Sequence, residues 1–376
     1  MTEAPPLDHS LLPAGVRARF VEGVNGLRMH MLEAGDPRKP CLLLLHGFPE
    51  LAYSWRKVML PLAEAGFYVI APDQRGYGRT TGWTTGYDVD LREFRMINLI
   101  RDILALLTAL GRDHVEAVIG HDFGSPVAAH CALVRPDIFR RVALMSAPYT
   151  GIAEIRAGAG PDVAPPLAID AALAALARPR KHYHLYYSTR PANADMVECK
   201  QGLHAFMRAY YHHKSADWAA NTPHPLTGWT AAELAKLPTY YVMDRAETMA
   251  ETVAHEMPSA AAIAACRWMS EAEMAVYAGE YGRTGFQGGL NWYRTRIDNI
   301  NAELDLFSGR TIDVPSIFIA GSTEWGAQQS PGALERMRGA ACTRMVPIRF
   351  VPGAGHWVQQ EQPDATVAVL LEFLRG

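Results

Sequence analysis

Residues 114–134 read HVEAVIGHDFGSPVAAHCALV. The first part, HVEAVIG (114–120), reads as a short strand, and a helix begins near Gly124. Between them stands Gly120-His121-Asp122-Phe123-Gly124, a central residue with a glycine two positions to either side. Such a turn is so tight that a larger side chain at either glycine would collide with the neighbouring strand or helix. The turn lifts its central side chain above the sheet, at a helix N-terminus whose partial positive charge favours an anion. Here that side chain is a carboxylate, Asp122.

The segments around this bend repeat the same alternation. Upstream, Val16–Glu22 and Leu27–Glu33 read as extended, and CLLLLHG (41–47) is a continuous apolar run of the kind buried on both faces of a sheet. A helical pattern over Tyr53–Ala65 leads to a further buried run, Phe67–Pro72. Leu91–Leu110 is helical throughout in its periodicity, with Gly111 as a stop. Downstream come FRRVALMSAP (139–148), VPSIFIAG (314–321), a helix near Ala333–Arg338, RMVPIRFV (344–351) and a last helix through Thr366–Leu374. Strand–helix alternation of this kind predicts an α/β fold with a mostly parallel sheet. Between about 149 and 311 the alternation gives way to helical patterning rich in Ala, Tyr, Met and Trp, then resumes. The expected organisation is an N-terminal arm (1–13), a core made of 14–149 and 312–376, and an inserted helical cap (150–311).

Composition narrows the function. The chain has 376 residues, 49% hydrophobic and 20% charged, with a formal net charge of −3. Those proportions belong to a globular chain and lack the basic face that nucleic acid requires. No apolar stretch approaches the about 20 residues of a membrane helix, and MTEAPPLDHS does not read as a secretory signal. Five widely spaced cysteines form no C-x-x-C pair and read as buried small hydrophobes in a reducing compartment. His212-His213 and His255-Glu256 do not extend to a metal-binding pattern. The expectations are a cytoplasmic protein that binds no nucleic acid and no membrane.

Asp122 alone could be a helix cap. Three other segments fall where a nucleophile at that bend needs help. His46-Gly47-Phe48-Pro49 follows the third strand, and the backbone N–H groups of Phe48 and Phe123 are the candidate donors to an oxyanion. GAGHW places His356 in a glycine-lined loop after the last strand. Glu324 follows VPSIFIAG at the same end of the sheet, whereas Asp313 precedes that strand and lies at the wrong end. The chain order Asp122, Glu324, His356 is nucleophile, acid, base. A carboxylate cannot run serine-type acyl transfer, because the product would be an unstable mixed anhydride. It can attack a saturated carbon that bears a strained or good leaving group.

At HGFPE with Trp55-Arg56 nearby, DQRGYG (73–78), GHDFG and GAGHW, the chain resembles the soluble epoxide hydrolases of the α/β-hydrolase fold. The resemblance implies a mostly parallel eight-stranded sheet with an inserted cap. HYHLYY resembles the lid segment carrying a first ring-opening tyrosine, matched by Tyr183, and GGLNWYR the segment carrying a second, matched by Tyr293. A phenol, with its pKa near 10, is protonated at neutral pH and able to serve a developing alkoxide. The resemblance further implies Trp55 as a substrate-binding residue, a small apolar substrate, no cofactor and no metal, and admits a homodimer. Two departures stand out: Phe123 where tryptophan is more usual, and Glu324 where aspartate is.

Two other functions use the same core. Haloalkane dehalogenases hold the halide with side-chain N–H donors, which Phe48 and Phe123 lack. Fluoroacetate dehalogenases carry arginines one and four residues after the nucleophile, positions held here by Phe123 and Pro126. A non-catalytic small-molecule receptor on this fold is the third reading.

Overall fold

The computed structural model describes residues 4–152, 165–298 and 300–376. Parts of the predicted arm (1–3) and cap (153–164 and 299) lie outside the described residues. Eight strands form one sheet: β1 (Val16–Val24), β2 (Leu27–Ala34), β3 (Cys41–Leu45), β4 (Tyr68–Pro72), β5 (Ala117–His121), β6 (Val142–Met145), and, after the cap with its β7 (Arg180–His182) and β8 (Val242–Asp244), β9 (Ser316–Gly321) and β10 (Arg349–Val351). Their spatial order is β1-β2-β4-β3-β5-β6-β9-β10. The β1–β2 and β2–β4 pairs are antiparallel, and every later pair is parallel.

Burial explains the sequence pattern. Every residue of β3, β4, β5 and β6 is buried, which accounts for their unbroken apolar runs. The helices Arg56–Glu64 and Pro363–Arg375 pack together, as do Met96–Ala109 and Gly124–Val134. From β3 the chain first steps to β4 on one side, then returns to place β5 on the other. Strand order reverses at that point, and in open α/β sheets the crevice beyond the strand ends at such a reversal receives ligand. The loops leaving β3 and β5 carry Gly47-Phe48 and Asp122-Phe123.

The described part of the cap sits over these loops. Tyr211 Oη donates to the Pro49 carbonyl at 3.0 Å, and Tyr281 Oη to the Glu50 carbonyl at 3.0 Å. The Trp292 indole N–H donates to the Arg75 carbonyl at 3.0 Å. Gly76 and Gly288 meet backbone to backbone, and a Cβ on either would strike the other chain segment.

Four local expectations need correction. The helix predicted over Leu91–Leu110 is a 3₁₀ turn, Leu91–Phe94, followed by Met96–Ala109. Arg95 between them is extended, and the Met96 N–H is taken by the Asn301 side chain at 2.7 Å, a partner from a distant segment. The run at 344–351 forms a strand only over Arg349–Val351, since Pro347 lacks the N–H a ladder needs. The predicted helix near Ala333–Arg338 is regular only over Ala333–Arg336 and widens into a π turn at Met337–Ala341. The cap is helical, yet it also holds the antiparallel pair β7–β8.

Candidate active site

The bend after β5 has the geometry its glycines permit. Asp122 adopts φ +51°, a left-handed conformation that is strained for a residue with a side chain. A Cβ at Gly120 would collide with the Gly124 carbonyl, and one at Gly124 with the Leu45 and His46 carbonyls. A Cβ at Gly47 would run into Asp122 Oδ1 and the Phe123 amide nitrogen, so both lie against the same glycine. The Phe48 N–H donates to Asp122 Oδ1 at 2.9 Å.

The other carboxylate oxygen faces the histidine. His356 Nε2 stands 3.3 Å from Asp122 Oδ2. Nε2 is buried and has no aligned hydrogen-bond partner. On the far side of the ring, His356 Nδ1 pairs with Glu324 Oε2 at 2.8 Å, and the Gly326 N–H donates to Glu324 Oε1. Glu324 is therefore held from both oxygens, with one bond orienting the imidazole.

The two cap tyrosines complete the enclosure. Tyr183, on the helix Tyr183–Tyr187, and Tyr293, on the helix Gln287–Ile297, have ring centroids 5.9 Å apart. Tyr293 packs edge-on against Phe123 at 4.8 Å and Phe48 at 5.4 Å. Tyr183 Oη donates to Gln329 Oε1 at 3.3 Å.

The charges separate sharply. Burial pushes the Asp122 carboxyl up, but the facing His356, with Lys214 and His121 beyond it, outweighs burial and holds the group far below the usual carboxylate range. Glu324 is likewise lowered, with burial opposed chiefly by His356. Burial first, and the Asp122 charge second, push both Tyr183 and Tyr293 well above an ordinary phenol. Asp122 is thus ionised and the phenols protonated across the neutral range.

All seven residues expected at the reacting centre converge here. Trp55 does not join them by any ring contact among the described residues. It is fully buried on the 3₁₀ turn Ala52–Trp55, and its indole N–H has no partner.

Sequence reasoning missed a layer behind the triad. Glu50 and His121 are both wholly buried, with His121 Nδ1 at 2.5 Å from Glu50 Oε2. His121 Nε2 donates to the His356 carbonyl at 2.7 Å, and the side chains of Gln359 and Gln360 donate to Glu50 Oε1. Both partners lie inside the quoted motifs HGFPE and GHDFG. Their signal was a charged residue beside a buried strand end. Among the described residues no cluster of three or more metal-ligating side chains exists. Among those residues no helix is long and apolar enough to cross a membrane.

The chain belongs to the α/β-hydrolase fold family, whose family model matches residues 40–363. Its relatives include epoxide hydrolase A of Mycobacterium tuberculosis, 35% identical over 94% of this chain and 95% of that protein. Among solved structures, an epoxide hydrolase from an endophytic Streptomyces superposes with a TM-score of 0.76 at 30% identity, covering 97% of this chain and 96% of the other. Potato (Solanum tuberosum) epoxide hydrolase I gives 0.73 at 27% identity, over 96% and 99%. The protein is a hydrolase enzyme of this family.

Proposed function

We propose that the protein is an epoxide hydrolase that converts an epoxide and water to a vicinal diol through an ester on Asp122. One observation carries this reading. An ionised carboxylate bonded to a backbone N–H faces an imidazole with an unbonded nitrogen, and its charge acts on two buried phenols whose ring centroids lie 5.9 Å apart.

Asp122 Oδ2 attacks an oxirane carbon, and the C–O bond of the strained ring breaks. The departing oxygen takes hydrogen bonds from the Tyr183 and Tyr293 hydroxyls, and a proton from one of them. The ester carbonyl is then Oδ1, already bonded to the Phe48 N–H. His356, oriented by Glu324, removes a proton from water, and the hydroxide adds to the Asp122 carbonyl carbon. The Phe48 and Phe123 amides hold the oxyanion that forms. Collapse expels the diol oxygen, which takes the proton held on His356, and the proton left on the Asp122 carboxyl returns to the tyrosinate, so that Asp122 is again a carboxylate and both phenols are protonated. A phenylalanine at each of positions 48 and 123 supplies no side-chain N–H for a leaving halide, which favours an epoxide over a haloalkane. Aromatic rings around Asp122 favour an apolar substrate; Trp55, with no ring contact to this cluster, is given no part in the reaction.

The test is intact-protein mass spectrometry of His356→Gln after mixing with styrene oxide. The expected result is a covalent increase equal to the mass of the epoxide, localised to the peptide containing Asp122. Diol formation by Asp122→Ala, or no adduct on His356→Gln while the native enzyme turns over, would remove the mechanism. Halide release from haloalkanes without any epoxide opening would replace the substrate class.

A further inference from the structure

The loop carrying His356 is fixed by three consecutive amides. The Gly355 N–H donates to Glu361 Oε2 at 3.0 Å, the His356 N–H to the Lys214 carbonyl at 2.9 Å, and the Trp357 N–H to Glu361 Oε1 at 2.9 Å. Two of these three bonds end on one carboxylate. The third ends on the last residue of the cap helix Leu203–Lys214. The same Glu361 Oε2 also accepts the N–H of Ala216, two residues beyond that helix, at 2.8 Å.

Glu361 therefore joins the cap to the histidine loop. The packing around it leaves little room for adjustment. A Cβ at Gly355 would strike the backbone of Lys214, Ser215 and Ala216. Trp357 stacks on Tyr211 of the cap helix with centroids 4.1 Å apart, and its indole N–H donates to the Tyr211 carbonyl at 2.8 Å. Glu361 is 8% exposed and has no ion-pair partner among the described residues, so backbone amides are what hold its carboxylate. Burial pushes the Glu361 carboxyl up to about 7, and the amides of Ala216, Gly355 and Trp357 oppose that shift by favouring the charged form.

We infer that Glu361 is a positioning residue: by bridging Ala216 of the cap to the amides on both sides of His356, it sets where Nε2 stands relative to Asp122. The inference rests on the proposed role of His356 as the base that hydrolyses the ester. It separates the two chemical steps. Ester formation depends on Asp122 and on tyrosines carried by Tyr183–Tyr187 and Gln287–Ile297, neither of which bonds to Glu361. Ester hydrolysis depends on the His356 ring, whose backbone Glu361 holds.

In Glu361→Gln, the amide N–H₂ faces main-chain N–H groups and cannot accept from them, so part of the bridge is lost. The experiment is rapid-quench mass spectrometry on native enzyme, Glu361→Gln and Glu361→Asp, each mixed with styrene oxide. Ester formation in Glu361→Gln is expected to stay within about twofold of native. Its hydrolysis is expected to slow by about tenfold or more, since a misplacement of roughly 1 Å can cost about 100-fold. Ester then accumulates at steady state. Glu361→Asp, which keeps a carboxylate, should fall between the two, and it serves as the test if the glutamine variant does not fold. Arg283→Ala removes the cap–core hydrogen bond from the Arg283 guanidinium to the Gly78 carbonyl, a contact that touches neither this loop nor Glu50, and should not change the ratio of the two steps. Equal slowing of both steps by the Glu361 variants, or no slowing of hydrolysis, overturns the inference while the ester on His356→Gln still stands. Absence of that ester overturns the parent mechanism, and the positioning role with it.

Discussion

The His121 ring supports the His356 backbone from behind: its Nε2 donates to the His356 carbonyl at 2.7 Å while its Nδ1 meets Glu50. Burial opposes a charge on His121, but the adjoining Glu50 carboxylate outweighs it and raises the imidazole above its ordinary value. Glu50 is lowered in turn, with burial opposed first by His121. The pair is ionised, and neither member reaches solvent.

Removing one member strands the other. Glu50→Gln should destabilise the fold by about 3–5 kcal/mol, the usual cost of leaving a buried partner charge uncompensated. The pH dependence has a definite sign. A histidine whose folded value is raised contributes fully below its unfolded value of about 6.5, and that contribution fades as pH rises through the folded value. The stability gap between native and Glu50→Gln should therefore narrow from pH 6 upward toward pH 9, as measured by urea unfolding. A gap that widens over that range would contradict an ionised pair.

Glycine substitutions distinguish the bend from ordinary helix. Gly124→Ala drives a methyl into the Leu45 and His46 carbonyls, backbone atoms that cannot rotate away. The expected loss is at least about 1–3 kcal/mol, the range for overpacking, with activity lost alongside. Gly279 lies exposed within the helix Glu271–Thr284, and a Cβ there meets nothing within 4 Å. Gly279→Ala should stabilise by about 0.5–1 kcal/mol. Paired thermal melts decide both, and the idea fails if the two substitutions move the midpoint in the same direction.

The phenols should act before the imidazole does. Tyr183→Phe and Tyr293→Phe each delete a hydroxyl that serves the departing oxygen, while ring packing stays in place. General-acid assistance is typically worth about 10²–10⁴-fold, so the double variant should lose ester formation by an amount in that range. Each single variant should lose less, because the remaining phenol can still donate. Single-turnover rates on styrene oxide measure this directly. A double variant that forms ester at the native rate would take the tyrosines out of the reaction.

Much of this arrangement was readable from the chain because it is written in local constraints. Gly120 and Gly124 mark a bend that no larger residue fits, and the apolar runs of β3 to β6 mark strands buried on both faces. The order of Asp122, Glu324 and His356 then follows from which strand end each one occupies. The parts that could not be read are tertiary. Arg95 breaks a helical pattern because Asn301, more than 200 residues away, takes the Met96 amide. β7 and β8 are three residues each, too short to show a period of two. Gln329 meets Tyr183, and Glu50 meets His121, only once separate loops have been brought to one end of the sheet. The epoxide hydrolase resemblance supplied Tyr183 and Tyr293, whose places in the cap no core motif determines.

Ester formation should be insensitive to pH across a wide range. Its two requirements are an ionised Asp122 and protonated phenols. The facing His356, with Lys214 and His121 beyond it, holds the Asp122 carboxyl far below its ordinary value against the effect of burial, so it keeps its charge well into acid. Burial and the Asp122 charge hold Tyr183 and Tyr293 well above 10, so neither loses its proton at moderately alkaline pH. The single-turnover rate of ester formation should thus vary by no more than about twofold between about pH 5 and about pH 9, since no group required for that step titrates there. A sigmoidal fall in the formation rate inside that window would mean that another titrating group governs the attack, and Asp122 could no longer be treated as a permanently charged nucleophile.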